Sequence, residues 1–102
     1  MTHVRVWRFE PAPGREAEFA AAYSGDGVWA RLFSRSGEFR GTTLLHPAEP
    51  GGPLLTLDRW ASHASFERFQ QEHGDDYRKL DLELAGLTSG EEFIGAFDDP
   101  AT

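Results

Sequence analysis

The segment His3–Phe9, HVRVWRF, places Val4 and Val6 on one face of an extended chain and Trp7 and Phe9 on the other, because successive side chains of a strand point to opposite sides. Near the far end, Glu92–Phe97 reads EFIGAF, with Phe93 and Phe97 set against Ile94 and Ala96. A sheet with helices on one side and water on the other carries a polar outer row. These two strands carry none. The chain has 102 residues, about one domain, and so has no spare element to cover a second apolar face. A second copy of the same sheet is the simplest cover, so the chain is expected to form a homodimer through the sheet face.

Between those strands the pattern changes period twice. Pro11-Ala-Pro-Gly14 ends the first strand, and Arg15–Tyr23 reads as an Ala- and Glu-rich helix with Phe19 and Tyr23 on one face. Ser24-Gly-Asp-Gly27 interrupts it, and Val28–Phe33 resumes with Trp29, Leu32 and Phe33 at helical spacing. Phe39–His46 and Leu54–Trp60 are the next strands, separated by a loop rich in proline and glycine. Ser62 is placed to cap a helix over His63–His73. Gly74-Asp75-Asp76 reads as a break, and Tyr77–Leu84 continues helically before the last strand, Glu92–Phe97. Residues 98–102 read as an exposed tail. The order β-α-β-β-α-β is the ferredoxin-like arrangement of the α+β class, a four-stranded antiparallel sheet with both helices on one face, within a single domain spanning residues 1–102.

Composition removes several chemistries. There is no cysteine and no asparagine, and Lys79 is the sole lysine. Thiol nucleophiles, disulfides and thiolate metal sites are therefore excluded, and Schiff-base or P-loop chemistry has almost nothing to work with. Ten basic against 17 acidic residues give a net charge of −7, which argues against nucleic acid or an anionic membrane as partner. No apolar run has the length of a membrane span and the first residues lack a signal peptide's apolar core, so a cytoplasmic location is expected. No glycine-rich loop follows a strand in the dinucleotide-binding manner. The four histidines, His3, His46, His63 and His73, show no metal-ligand spacing. Neither a cofactor nor a metal is expected.

The candidate site residues are few. Trp7 and Trp60 are large rings that could wall an aromatic pocket, with core filling as the competing role. His73 and Tyr77, four apart, could handle protons if the helix survives Gly74. Asp58 and Arg59 flank Trp60 on alternating faces, Arg59 being the natural holder of an anionic substrate group; an ion pair at a subunit rim is the alternative.

The segments AYSGDGVWARLF, FRGTTLLH, LLTLDRWAS, SFERFQQEH and SGEEFIGAFD together resemble the antibiotic biosynthesis monooxygenase-like families of the dimeric α+β barrel superfamily. Trp60 followed by a helix bearing Phe66 is the most recognisable piece. The resemblance implies two sheets packed face to face into a closed barrel, and a small apolar pocket between the sheet and the helices of each subunit. It implies a small-molecule enzyme resembling the cofactor-independent monooxygenases that oxidise phenolic or quinol-like substrates. Trp7, Arg59, Trp60 and Phe66 would then contact the ligand, and His73 and Tyr77 would move protons. Relatives of this kind use an asparagine that this chain lacks. A non-catalytic homodimer that binds a small apolar or aromatic ligand is the other reading.

Overall fold

The computed structural model describes residues 1–101. Its elements run β1 (Thr2–Pro11), α1 (Glu16–Tyr23), α2 (Val28–Phe33), β2 (Phe39–Leu45), β3 (Leu54–Trp60), α3 (His63–Leu84) and β4 (Thr88–Asp99), with a single 3-10 turn over Ala85–Leu87 before β4. The four strands form one antiparallel sheet in the order β2-β3-β1-β4, the ferredoxin-like topology. Among the described residues no helix is long and apolar enough to cross a membrane.

Opposed residues of a ladder share a face, so the register sorts the side chains. His3, Arg5, Trp7 and Phe9 of β1 oppose Trp60, Asp58, Thr56 and Leu54 of β3, and this side carries the helices. Val4 and Val6 oppose Arg59 and Leu57 on the other side. That outer side also shows Leu45, Ile94 and Phe97, exposed by 43%, 47% and 53%. The uncovered apolar row expected from β1 is therefore present. The partition expected within β4 is not. Phe93 opposes Trp7 on the helix side while Phe97 opposes Val4 on the outer side. A bulge at the Val6–Trp7 rung inserts Ile94 as an extra residue and reverses the alternation at that point; the neighbouring Gly95 takes φ 156°.

The first and last strands of the chain, β1 and β4, are longer than the apolar pattern alone suggests. β4 begins at Thr88 and runs through Asp99, so Asp98 and Asp99 close the ladder rather than belonging to a tail, and Asp98 Oδ1 lies 3.3 Å from His3 Nδ1. Thr102 lies outside the described residues. The break expected at Gly74-Asp75-Asp76 falls one residue earlier: the helical run His63–Leu84 is two helical segments meeting at a kink on His73, at φ −127° and ψ 17°. Asp75 and Asp76 then fall in the first turn beyond that kink, where carboxylates favour a helix start. Asp75 pairs with Arg78, and Asp76 meets Arg35 of the α2–β2 connection at 2.6 Å. The Ser62 cap stands as expected, its hydroxyl accepting from the Ser65 N–H at 3.1 Å.

The turn between α1 and α2 depends on Gly27, where a Cβ would lie 2.4 Å from the Ala22 carbonyl oxygen. That approach folds the two short helices back on each other and seats Phe19, Tyr23, Trp29, Leu32 and Phe33 in one core with Phe9, Trp60 and Phe69. Trp60 is fully enclosed, its ring within 5.1–5.5 Å of Phe33, Phe39, Phe66 and Phe69. Trp60→Ala is expected to cost about 3–5 kcal/mol, read as a lowered urea midpoint. A loss below about 1 kcal/mol would contradict this placement.

Candidate active site

A cavity of about 80 Å³ opens between the helix side of the sheet and the three helices, room on the order of half a dozen water-sized groups, or one aromatic ring. Its sheet wall is Trp7 and Phe9 of β1, Thr42 of β2, Thr56 and Asp58 of β3, and Glu91 of β4. Its helix wall is Tyr23 of α1, Trp29 and Phe33 of α2, and Tyr77 and Asp81 of α3. Six rings and three carboxyl groups thus meet with no basic side chain in the lining.

Asp58 is the group most altered by its surroundings. The alternation LLTLDRW puts Thr56, Asp58 and Trp60 on the helix side of β3, beneath the aromatic layer. The half-buried Asp58 lines the cavity, and burial pushes its pKa up to about 6. The Thr42 hydroxyl, donating to Asp58 Oδ1 at 2.6 Å, and the charges of Arg5 and Arg59 oppose that rise without cancelling it. Arg5 stands opposite Asp58 in the ladder, with its guanidinium 3.8 Å from the Phe66 ring centroid and 4.6 Å from that of Phe93. This is a cation held between two π faces. Burial lowers its pKa, while Tyr77 and Asp58 act against that fall.

Both cavity phenols are held protonated. Burial pushes Tyr23 and Tyr77 up to about 12, and the charges of Asp81 and Glu91 act in the same direction on both. At neutral pH each is a hydrogen-bond donor. The buried Trp29 indole N–H lies close enough to the Tyr23 hydroxyl to act against that rise as a hydrogen-bond donor, although the pair falls outside strict hydrogen-bond geometry. Glu91 is raised by burial and then by Asp81.

Of the residues singled out from sequence, Trp7, Asp58 and Tyr77 line this cavity. The others stand elsewhere. Arg59 is on the outer side, opposite Val4 and Gly41, and donates to the Thr43 hydroxyl at 2.7 Å, because strand alternation turns it away from Asp58. Trp60 is sealed in the core and reaches no cavity surface. Phe66 packs between Trp60 and Arg5, one step behind the lining. His73 sits at the kink of α3 against Phe69, with ring centroids 5.2 Å apart, and is likewise not part of the lining. The backbone departure at His73 breaks the helical phase that would have aligned it with Tyr77.

Sequence reasoning passed over Arg5, Tyr23, Asp81 and Glu91 as site residues, and placed Trp29 only by its helical spacing, whereas it is both buried and a cavity wall. Arg5 could have been found from its alternation with Trp7 and Phe9, which puts a cation on an apolar face. Nothing local marks Asp81 or Glu91.

No family model matches the chain, and no curated protein sequence matches it. Solved structures do. A mutant of SnoaB, a cofactor-independent oxygenase from Streptomyces nogalater, is 25% identical over 99% of this chain and 95% of that chain, with a TM-score of 0.73. A Bordetella bronchiseptica protein described as a candidate antibiotic biosynthesis monooxygenase is 16% identical over 96% of each chain, with a TM-score of 0.71. A mutant of MhuD with two manganese protoporphyrin IX bound per active site is 19% identical over 96% of this chain and 94% of that one, with a TM-score of 0.60.

Proposed function

The chain has the antibiotic biosynthesis monooxygenase-like fold, and on that premise we propose that it is a cofactor-independent oxygenase of phenolic or quinol-like substrates, working as a homodimer. The observation that carries the reading is Asp58: a carboxyl with a pKa of about 6, open to an aromatic-walled cavity. Such a group is ionised at neutral pH yet basic enough to accept a proton from a bound phenol.

The substrate ring enters among Trp7, Phe9 and Phe33 with its hydroxyl toward Asp58. Asp58 takes the phenolic proton, and Arg5 steadies the phenolate from the neighbouring strand. The electron-rich ring passes one electron to molecular oxygen, and the radical pair joins at the ring carbon para to the oxygen. Asp58 returns the proton to the peroxide, which then loses water. One oxygen atom of O2 becomes the new carbonyl of a quinone and the other leaves as water. That water carries the phenolic hydrogen and the hydrogen of the attacked carbon. Tyr23 and Tyr77 remain protonated and hold the substrate oxygens. Asp58 thereby fills the proton-accepting role expected of His73, with Tyr77 kept as its partner.

Oxygen consumption with a panel of phenols and hydroxynaphthalenes that carry hydrogen para to the hydroxyl tests this. The expected result is uptake of one O2 per quinone formed, with kcat/KM rising as pH passes through about 6. Turnover with no limb in that range would remove Asp58 as the base. Saturable binding without oxygen uptake would favour a ligand-binding domain over an enzyme.

A further inference from the structure

The middle rungs of β2 and β3 carry three threonines, Thr42, Thr43 and Thr56, and two of their hydroxyls are committed. Thr42 donates to Asp58 Oδ1 at 2.6 Å, and the Thr43 hydroxyl accepts from Arg59 at 2.7 Å. Thr42 reaches that carboxyl because β2 carries an extra residue between Phe39 and Gly41, where Gly41 takes φ 114°. The bulge moves Thr42 to the helix side of the sheet. Thr56 is the third. It is 3% exposed, stands on the helix side two residues before Asp58, and lines the cavity. Its ladder neighbours, Trp7 and Leu44, carry no side-chain acceptor.

The Thr56 hydroxyl has no hydrogen-bond partner among the described residues. Buried side-chain nitrogens on His3, Trp29 and Trp60 also lack one, and those are sealed from solvent. The Thr56 oxygen is not sealed with them, so it keeps accessible surface. On a residue this buried that lines the cavity, that surface belongs to the cavity wall. Buried polar groups are rarely left unpaired, so the occupant of the cavity supplies the partner. Residues two apart on a strand lie about 6.6 Å from each other. Asp58 and Thr56 therefore meet the two ends of an aromatic ring laid along β3, the carboxyl at the phenol and the hydroxyl at the far side.

We propose that Thr56 holds the oxygen atom that arrives at the ring carbon para to the phenol, and so directs oxidation to that carbon. The chemistry rests on the oxygenase reading; the contact with a para oxygen stands on Thr56 alone. When oxygen has joined the para carbon, the Thr56 hydroxyl donates to the inner oxygen of the peroxide. The O–O bond then breaks, and the outer oxygen leaves as water with the proton returned by Asp58 and the hydrogen of the attacked carbon. The inner oxygen stays as the quinone carbonyl, still held by Thr56, which itself neither gains nor loses a proton. At a carbon ortho to the phenol, oxygen lies away from this donor and gains nothing from it.

Two measurements test this on the wild-type chain, Thr56→Val and Thr56→Ser. The first is calorimetric binding of 4-methoxyphenol and its isostere 4-ethylphenol, neither of which has the para hydrogen that the oxidation removes. The wild type is expected to bind the methoxy compound about fivefold more tightly, one neutral hydrogen bond's worth, with no preference left in Thr56→Val. The second is the product ratio from 1-naphthol, which has hydrogen at both the para and the ortho carbon. The wild type is expected to form chiefly 1,4-naphthoquinone, and its excess over 1,2-naphthoquinone to fall about fivefold in Thr56→Val. Thr56→Ser keeps the hydroxyl and is expected to keep both ratios. Circular dichroism checks the fold, and Thr56→Ala takes the place of Thr56→Val if the latter unfolds. A ratio unchanged by loss of the hydroxyl, in either measurement, overturns the proposal and leaves the oxygenase reading standing. Binding of neither phenol overturns both. A methoxy preference that is lost in Thr56→Val, with no oxygen uptake from 1-naphthol, supports the Thr56 contact while removing the oxygenase reading.

Discussion

Asp58→Asn is expected to lower kcat/KM for quinol oxidation about 100-fold or more at pH 8, the usual consequence of removing a general base, while making the protein more stable at that pH. The amide keeps an oxygen to accept from the Thr42 hydroxyl but carries no charge to bury. The sign follows from the direction of the shift. Burial raises the folded-state pKa from 3.8 to about 6, so the folded chain binds this proton more tightly than the unfolded chain. Stability is then greatest below about pH 4 for this group and falls as pH rises through about 6. A rise of roughly two pKa units corresponds to about 3 kcal/mol at full ionisation. Urea midpoints of wild type and variant should converge near pH 4 and separate by pH 8, the variant being the more stable. Parallel curves over that range, or unchanged turnover, would remove Asp58 from this role.

Leu57→Glu is expected to convert a dimer into a monomer. Leu57 lies on the outer side of the sheet, between Val6 of β1 and Thr43 of β2, with Leu45, Ile94 and Phe97 exposed on the same side. In a symmetric pair of sheets the substitution puts two carboxylates into one dry seam. Desolvating unpaired charges costs several kcal/mol apiece, more than the loss of a few apolar contacts. Light scattering should give about twice 11.4 kDa for the wild type and that mass itself for the variant, with far-UV dichroism retained. A wild-type chain that already scatters as a monomer would refute the second-copy cover.

Element order, the Ser62 cap and the two-sided strand β1 were legible because they are local: each depends on neighbours in sequence and on the fixed periods of helix and strand. The register shift in β4 was not, since an inserted residue changes which face later side chains occupy without altering composition. The interruption of α3 was legible to within a residue: Gly74 signals it and the kink falls at His73, while the pairing of Asp76 with the distant Arg35 was not. The site was legible in part: Trp7 and Tyr77 were found from size and spacing, while Asp58 was noticed only as a neighbour of Trp60. Its raised pKa depends on rings from α1, α2 and α3 closing over it, which no segment of sequence contains.

The bulge at Ile94 divides β4 into two stretches that evolution can tune separately. Before it, Glu91 lines the cavity and Phe93 faces the helix side; after it, Phe97 faces outward beside Val4. Changes in the first stretch would alter ligand preference with the subunit seam untouched, and changes in the second would alter assembly with the pocket untouched. Deleting one bulge residue would restore simple alternation with both stretches on the faces they now hold. Pairing without the bulge, and with every residue kept, would instead turn one stretch over, trading pocket residues for seam residues in a single event.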